Sequence, residues 1–226
     1  MKKAIFCIQN HLIEDILKSS KLLNENSIVV KNKNELNLKF INHHKPDFIM
    51  FPHWSHKVPA EIYQNFKCIC FHSSPLPYGR GGSPIQNMIK LGHNETEVCS
   101  LLMTEEFDAG PVYIRTKTSL KGNLDQILIR IYKAIADQIH ELLKKDIEPV
   151  EQVGKVVKFS RITDNSIEFN QPLIKIFDKI RMLDSSIYPQ SYIDIEDCKI
   201  EFKNAIYKED QIEANISIKK ISKNEE

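Results

Sequence analysis

Cys68-Ile69-Cys70-Phe71 runs directly into His72-Ser73-Ser74-Pro75-Leu76-Pro77-Tyr78-Gly79-Arg80-Gly81-Gly82-Ser83-Pro84, and that junction decides the architecture. The first four residues are an unbroken apolar run, as expected of a strand buried on both faces. The next thirteen carry three prolines and three glycines, a composition that predicts neither helix nor strand. A loop leaving the carboxyl end of a parallel strand lies where open α/β sheets bind their ligands.

Reading back toward the N-terminus, further strand-length apolar runs occur at Ala4-Ile5-Phe6-Cys7-Ile8, Ser27-Ile28-Val29-Val30 and Phe48-Ile49-Met50-Phe51. Between them lie helix-like stretches over residues 12–23, 35–41 and 59–65. Reading forward, residues 85–91 predict a helix and 97–103 a strand. Asp108-Ala109-Gly110-Pro111 is a turn before the alternating run Val112-Tyr113-Ile114-Arg115, and residues 124–143 carry apolar side chains at amphipathic helical spacing. Strands alternating with helices predict an α/β, Rossmann-like, doubly wound and mostly parallel sheet. That unit occupies residues 1–150.

Residues 151–226 change character, with a short helix at 173–183 and two alternating runs, 199–207 and 211–221, that read as a hairpin turning at Lys208-Glu209-Asp210. This predicts a small C-terminal β-rich appendage with a frayed tail at 222–226. Its hairpin leaves an edge open for self-pairing, the one hint of a homodimer.

The chain has 226 residues, 42% hydrophobic and 27% charged, which suits a globular protein with an ordinary core. A formal net charge of +1 supplies no global field toward nucleic acid or anionic lipid, so neither partner is expected. No run approaches the roughly 18 apolar residues of a membrane span. The odd cysteine count, at positions 7, 68, 70, 99 and 198, points to reduced thiols and a cytoplasmic location. His53, His56, Cys68 and Cys70 do not follow a zinc-ligand spacing, and no metal is expected.

His72 leaves a buried strand for a rigid loop, a placement suited to acid–base chemistry near neutral pH but equally open to a structural role. Combined with Leu76-Pro77, Arg80-Gly81, Pro84-Ile85-Gln86 and an Asp-x-Gly turn beginning thirty-six residues later at Asp108, the pattern resembles the folate-dependent formyltransferases. The resemblance covers residues 45–145. It implies 10-formyltetrahydrofolate as formyl donor and an amine as acceptor, with His72 and Asp108 as the catalytic pair. It also implies that Phe51, Pro52, His53, Thr104, Glu105 and Asp108 border the folate. Ser73, Ser74, Leu76, Pro77, Tyr78, Arg80 and Gly81 would then hold the acceptor, with Arg80 either clamping the loop or reaching a phosphate. The family's Leu-Pro step further implies a cis bond before Pro77.

One position departs from the family pattern. Where most members have an asparagine that donates to the formyl oxygen, this chain has Cys70, and a thiol is a weak donor. Another donor substitutes, His72 suffices alone, or only binding remains; His53 is one candidate for the substitute. A nucleophilic Cys70 is a further option, set against a plain buried strand cysteine.

For the acceptor, residues 71–87 together with Ile180-Arg181-Met182-Leu183-Asp184 and Tyr188-Pro189 look like formyltransferases of pseudaminic and legionaminic acid pathways. That implies a nucleotide-linked amino sugar, namely a UDP-linked 4-amino-4,6-dideoxy-N-acetyl hexosamine. A dTDP-4-amino-4,6-dideoxyhexose or a catalytically silent binding module are the alternatives. The small C-terminal part and its lack of basic excess argue against tRNA.

Overall fold

Ile5 and Cys7 pack into one core and Phe6 and Ile8 into another, and the same division separates Ile49 and Phe51 from Phe48 and Met50, and Cys68 from Ile69. Successive strand residues point to opposite faces, so a strand covered on both sides must be apolar throughout. That is why the buried runs stand out in the sequence. In the computed structural model, which describes residues 2–221, the order of elements is β1 (Ala4–Cys7), α1 (His11–Ser19), β2 (Ile28–Val30), α2 (Leu38–His44), β3 (Phe48–Phe51), α3 (Ala60–Tyr63), β4 (Cys68–His72), β5 (Tyr78–Gly81) and α4 (Pro84–Lys90). There follow β6 (Glu95–Leu102), β7 (Val112–Ser119), α5 (Leu124–Lys144), β8 (Val157–Phe159), α6 (Leu173–Arg181), β9 (Ser191–Ile195), β10 (Cys198–Lys208) and β11 (Gln211–Lys220).

The main sheet has the order β2-β1-β3-β4-β6-β7. Its first four strands are parallel, whereas β4 with β6 and β6 with β7 are antiparallel. A parallel β6–β7 pair would need a crossover of a dozen or more residues. The connection runs only from Met103 to Pro111, so the chain turns straight back. Helices α1, α4 and α5 cover one face and α2 and α3 the other. The long α5 starts from a capping box in which Asn123 accepts from Gln126 N–H while the Gln126 side chain accepts from Asn123 N–H.

Two local expectations are corrected. Helix α2 begins at Leu38, because the Asn37 side chain accepts from Phe40 N–H and caps the helix there. The Pro/Gly loop contains a strand after all: β5 pairs in parallel with β8, Tyr78 opposite Val157 and Gly81 opposite Phe159. Both Pro75 and Pro77 precede it, and its partner lies far downstream. Gly81 sits at φ +104°, and a β-carbon there would stand 2.5 Å from the Phe159 carbonyl oxygen, so the pairing requires glycine.

Beyond β8 the chain forms the antiparallel sheet β11-β10-β9, against which α6 packs through Ile176 and Ile180 on Ile193, Phe202 and Ile212. The hairpin turn falls between Lys208 and Gln211. Residues 222–226, expected to fray, lie outside the described residues. Among the described residues no helix is long and apolar enough to cross a membrane.

Candidate active site

The carboxyl ends of β3 and β4 open onto a cleft of about 1020 Å³, walled also by the Met103–Asp108 segment, α5 and the Arg161–Asn165 and Tyr188–Pro189 segments. Strand β4 delivers Cys70 and His72 to its floor. The Leu76–Pro77 peptide is cis, as the resemblance implies.

His72 is buried, and its Nε2–H donates to Gly79 O at 2.8 Å, because a carbonyl can only accept. The same oxygen accepts from Ser74 Oγ at 3.0 Å. Nδ1 is therefore the nitrogen left to exchange a proton. It faces Asp108 Oδ1 at 3.4 Å, within ion-pair range but longer than an ordinary hydrogen bond. Catalytic contacts in unliganded sites are often long and tighten when substrate binds.

Asp108 is held from several sides. Its backbone is left-handed, at φ +56°, and its Oδ2 accepts from Gly81 N–H at 2.9 Å. Gln152 donates from Nε2 to the carbonyls of Asp108 and Gly110, both at 2.8 Å. Arg80 in turn forks onto Gln152 Oε1 at 3.1 and 2.8 Å. Gln152 carries no sequence signal, since it sits in a charged, aperiodic segment and acquires its role only by folding back. Gln152→Ala would leave two carbonyls without partners and the largely buried Arg80 guanidinium with only its ion pair to Glu106 at 3.7 Å. It is expected to cost about 1–3 kcal/mol of stability and to lower turnover more than it changes apparent affinity, as read by denaturant melts and steady-state kinetics.

The expected site residues divide into two groups. Phe51, His53, Ser73, Gly81, Thr104, Glu105 and Asp108 line the cleft. Pro52, Ser74, Leu76, Pro77, Tyr78 and Arg80 are not on its wall. Ser74 and Leu76 are buried under the loop, Tyr78 packs edge-on against Phe159, and Arg80 is spent on Gln152. These residues shape the loop, and the reach of Arg80 to an acceptor phosphate is corrected accordingly. Of the 180–189 segment, Leu183, Tyr188 and Pro189 reach the cleft, while Ile180 and Met182 are core.

Cys70 Sγ–H points to Leu101 O at 3.8 Å. Burial, and secondarily the Asp108 carboxylate, push its thiol well above the usual range, which disfavours the thiolate a nucleophile needs. His53 sits at φ +61° beyond the end of β3, and its Nδ1 is 2.8 Å from the Tyr132 hydroxyl. Burial holds its pKa below the ordinary histidine value, so the ring is neutral near pH 7.

Phe51, Trp54, Val58, Leu101, Met103 and Leu128 offer apolar and aromatic surface, and the polar Thr104–Asp108 stretch forms one rim of the cleft.

Comparison with known proteins identifies the family. The family profile described as "Formyl transferase" matches residues 14–147, more than half of the chain. A profile described as "Methionyl-tRNA formyltransferase, C-terminal domain" matches residues 162–219. A methionyl-tRNA formyltransferase from a Sulfurihydrogenibium species is 28% identical over 190 residues, 78% of this chain and 59% of that protein. The chain thus spans little more than half of that relative's length. A solved methionyl-tRNA formyltransferase from Clostridium thermocellum superposes with a TM-score of 0.92 at 34% identity, covering 97% of this chain and 100% of that one. HypX from Aquifex aeolicus, solved with tetrahydrofolic acid, shares the fold at a TM-score of 0.72 and 17% identity, over 90% of this chain and 38% of that one.

These matches overturn the expectation of a nucleotide-linked amino sugar acceptor, in its UDP- and dTDP-linked forms, and of a silent module. They equally overturn the exclusion of nucleic acid. Both errors have one physical source. A small C-terminal part and a net charge near zero do not argue against tRNA, since a solved methionyl-tRNA formyltransferase chain from Clostridium thermocellum is covered completely by this one. Net charge also averages away local patches. Arg161, Ile162 and Thr163 join the main cleft to a second recess of about 430 Å³, where Lys90, Arg161, Lys175 and Lys179 gather beside Asp164, Glu168 and Asp178.

Proposed function

Because this chain belongs to the formyl transferase family, whose formyl donor is 10-formyltetrahydrofolate, we propose that it transfers the formyl group to the free amino group of methionyl-tRNA. The observation that carries the reading is the whole-chain match to the Clostridium enzyme, which extends through α6 and the β9–β11 sheet as well as the catalytic sheet. The recess continuing from the cleft carries Lys90, Arg161, Lys175 and Lys179, cations for the phosphates of an acceptor strand, set among Asp164, Glu168 and Asp178. Five unpaired cysteines fit a cytoplasmic setting.

10-Formyltetrahydrofolate supplies the formyl carbon, whose carbonyl oxygen gains negative charge when an amine attacks. In the proposed mechanism His72 Nδ1 takes the proton that the amine loses as it bonds to the formyl carbon, and returns it to the folate nitrogen as the bond between that nitrogen and the formyl carbon breaks. Between the two transfers Asp108 Oδ1 faces a cationic ring and stabilises it, while Gly81 N–H and the Arg80–Gln152 pair keep the carboxylate in place. Phe51, His53, Thr104 and Glu105 flank the donor, and Ser73 and Gly81 the acceptor.

The test is incubation of the purified chain with 10-formyltetrahydrofolate and methionyl-tRNA. The expected products are formylmethionyl-tRNA and tetrahydrofolate in equal amounts. Uncharged tRNA and free methionine should give neither. Absence of product under conditions where folate binds would sink the reading.

A further inference from the structure

Formyl transfer needs an N–H or O–H aimed at the carbonyl oxygen as that oxygen becomes negative, and the argument here rests on the formyl-transfer reading above. The two side chains at the end of β4 do not offer one. Cys70 directs its weak S–H to Leu101 O, and His72 has committed Nε2–H to Gly79 O. We propose that His53 Nε2–H is the donor to the formyl oxygen, and that Asn10 and Tyr132 exist at this site to hold His53 in the tautomer that can donate.

Placement comes from the sheet. Strands β3 and β4 are adjacent and parallel, with Phe51 opposite Cys70. His53 lies two residues past Phe51, as His72 lies two past Cys70. His72 ends β4 and His53 lies in the turn just beyond β3, strands that run about 4.8 Å apart, and both histidines line the same cleft. His53 holds a left-handed backbone, uncommon outside glycine, and such strain is retained where the surroundings enforce it.

Proton direction follows from a helix cap. Asn10 is the N-cap of α1, and its Oδ1 accepts from Leu12 N–H at 2.8 Å. That assigns the amide orientation, so Asn10 Nδ2–H is what faces the Tyr132 hydroxyl, at 3.3 Å, and it must donate. Tyr132 is 1% exposed, and its single proton needs an acceptor. His53 Nδ1, 2.8 Å away, accepts it. Burial raises the tyrosine pKa and lowers that of the histidine, so both groups stay neutral and the direction is stable near pH 7. A neutral imidazole that accepts at Nδ1 carries its hydrogen on Nε2. Among the described residues no hydrogen-bond partner engages that nitrogen. A chain starting at a helix cap thus ends as one directed donor in the cleft, on the strand next to Cys70.

Two readouts test this. By calorimetry, the chain should prefer 10-formyltetrahydrofolate to tetrahydrofolate, and His53→Ala should shrink that preference by roughly tenfold, the loss of one neutral hydrogen bond. In formyl transfer to methionyl-tRNA, His53→Ala should lower kcat by about 100-fold or more. His53→Gln, whose amide can donate, should retain most of both quantities, whereas Tyr132→Phe should lose part of both because the tautomer is no longer held. Cys70→Asn, which adds an amide donor at the end of β4, should restore activity to His53→Ala. Undiminished formyl preference and kcat in His53→Ala would overturn the inference. If circular dichroism shows that this variant is unfolded, equal values for His53→Gln and Tyr132→Phe overturn it instead. A chain that loses its formyl preference in His53→Ala, yet never formylates methionyl-tRNA, would refute the proposed acceptor and leave the role of His53 standing.

Discussion

His72→Ala is expected to lower kcat by about 100- to 10,000-fold, the usual range for removing a positioned proton-transfer group. The fold should survive. Gly79 O, which loses the imidazole N–H, keeps the Ser74 hydroxyl as a donor, and the space vacated opens onto the cleft, where water can enter. Asp108→Asn complements it: an amide oxygen can still accept from Gly81 N–H, but the negative charge opposite His72 Nδ1 is gone. Its loss should also be about 100-fold or more, without a matching fall in melting temperature. Single-turnover rates and calorimetric melting separate the two quantities. Wild-type turnover in both variants would show that the proton leaves the amine by another route.

Arg181→Met is expected to be the most destabilising single change, at about 3–5 kcal/mol, because it leaves a buried carboxylate uncompensated. Arg181 Nε meets Asp178 Oδ1 at 2.8 Å, and both side chains are only 10% exposed. Nη1 also donates to Leu120 O at 2.6 Å and Gly122 O at 3.1 Å, and the guanidinium lies 5.6 Å from the Phe177 ring. These contacts tie α6 to the segment that enters α5. For a chain of this size the change should lower the melting temperature by about 10 °C. Asp178→Leu combined with Arg181→Met should recover much of the loss, since replacing both partners of a buried pair by apolar groups is often neutral. A double variant no better than the single one would show that the carbonyl contacts, not the ion pair, carry the effect.

Much of the fold was legible because its determinants are local. A strand buried on both faces is apolar throughout, an amphipathic helix repeats at 3.6 residues, and a Pro/Gly-rich loop interrupts both. The short strand Tyr78–Gly81 was missed because its partner, Val157–Phe159, lies in a segment with no periodic signal, and only glycine at 81 hints at the close approach. Net charge is an average over the whole chain and carries no information on where Lys90, Arg161, Lys175 and Lys179 come together. Arg80 is open in the sequence to clamping the loop or reaching a phosphate, and folding brings Gln152 and Glu106 to it.

The sequence by itself determined the layered α/β sheet, the position of the loop after the fourth long apolar run, and the candidacy of His72 and Asp108. Each is carried by residues close together in the chain or by a fixed motif spacing. Which polar atoms are free to act was decided only by the tertiary structure. His72 Nε2–H is taken by Gly79, Cys70 by Leu101 and His53 Nδ1 by Tyr132, and the last two of these partners arrive from distant elements. A hydrogen bond made with one partner is unavailable to another, so the chemistry of the cleft depends on contacts that no local stretch of sequence contains.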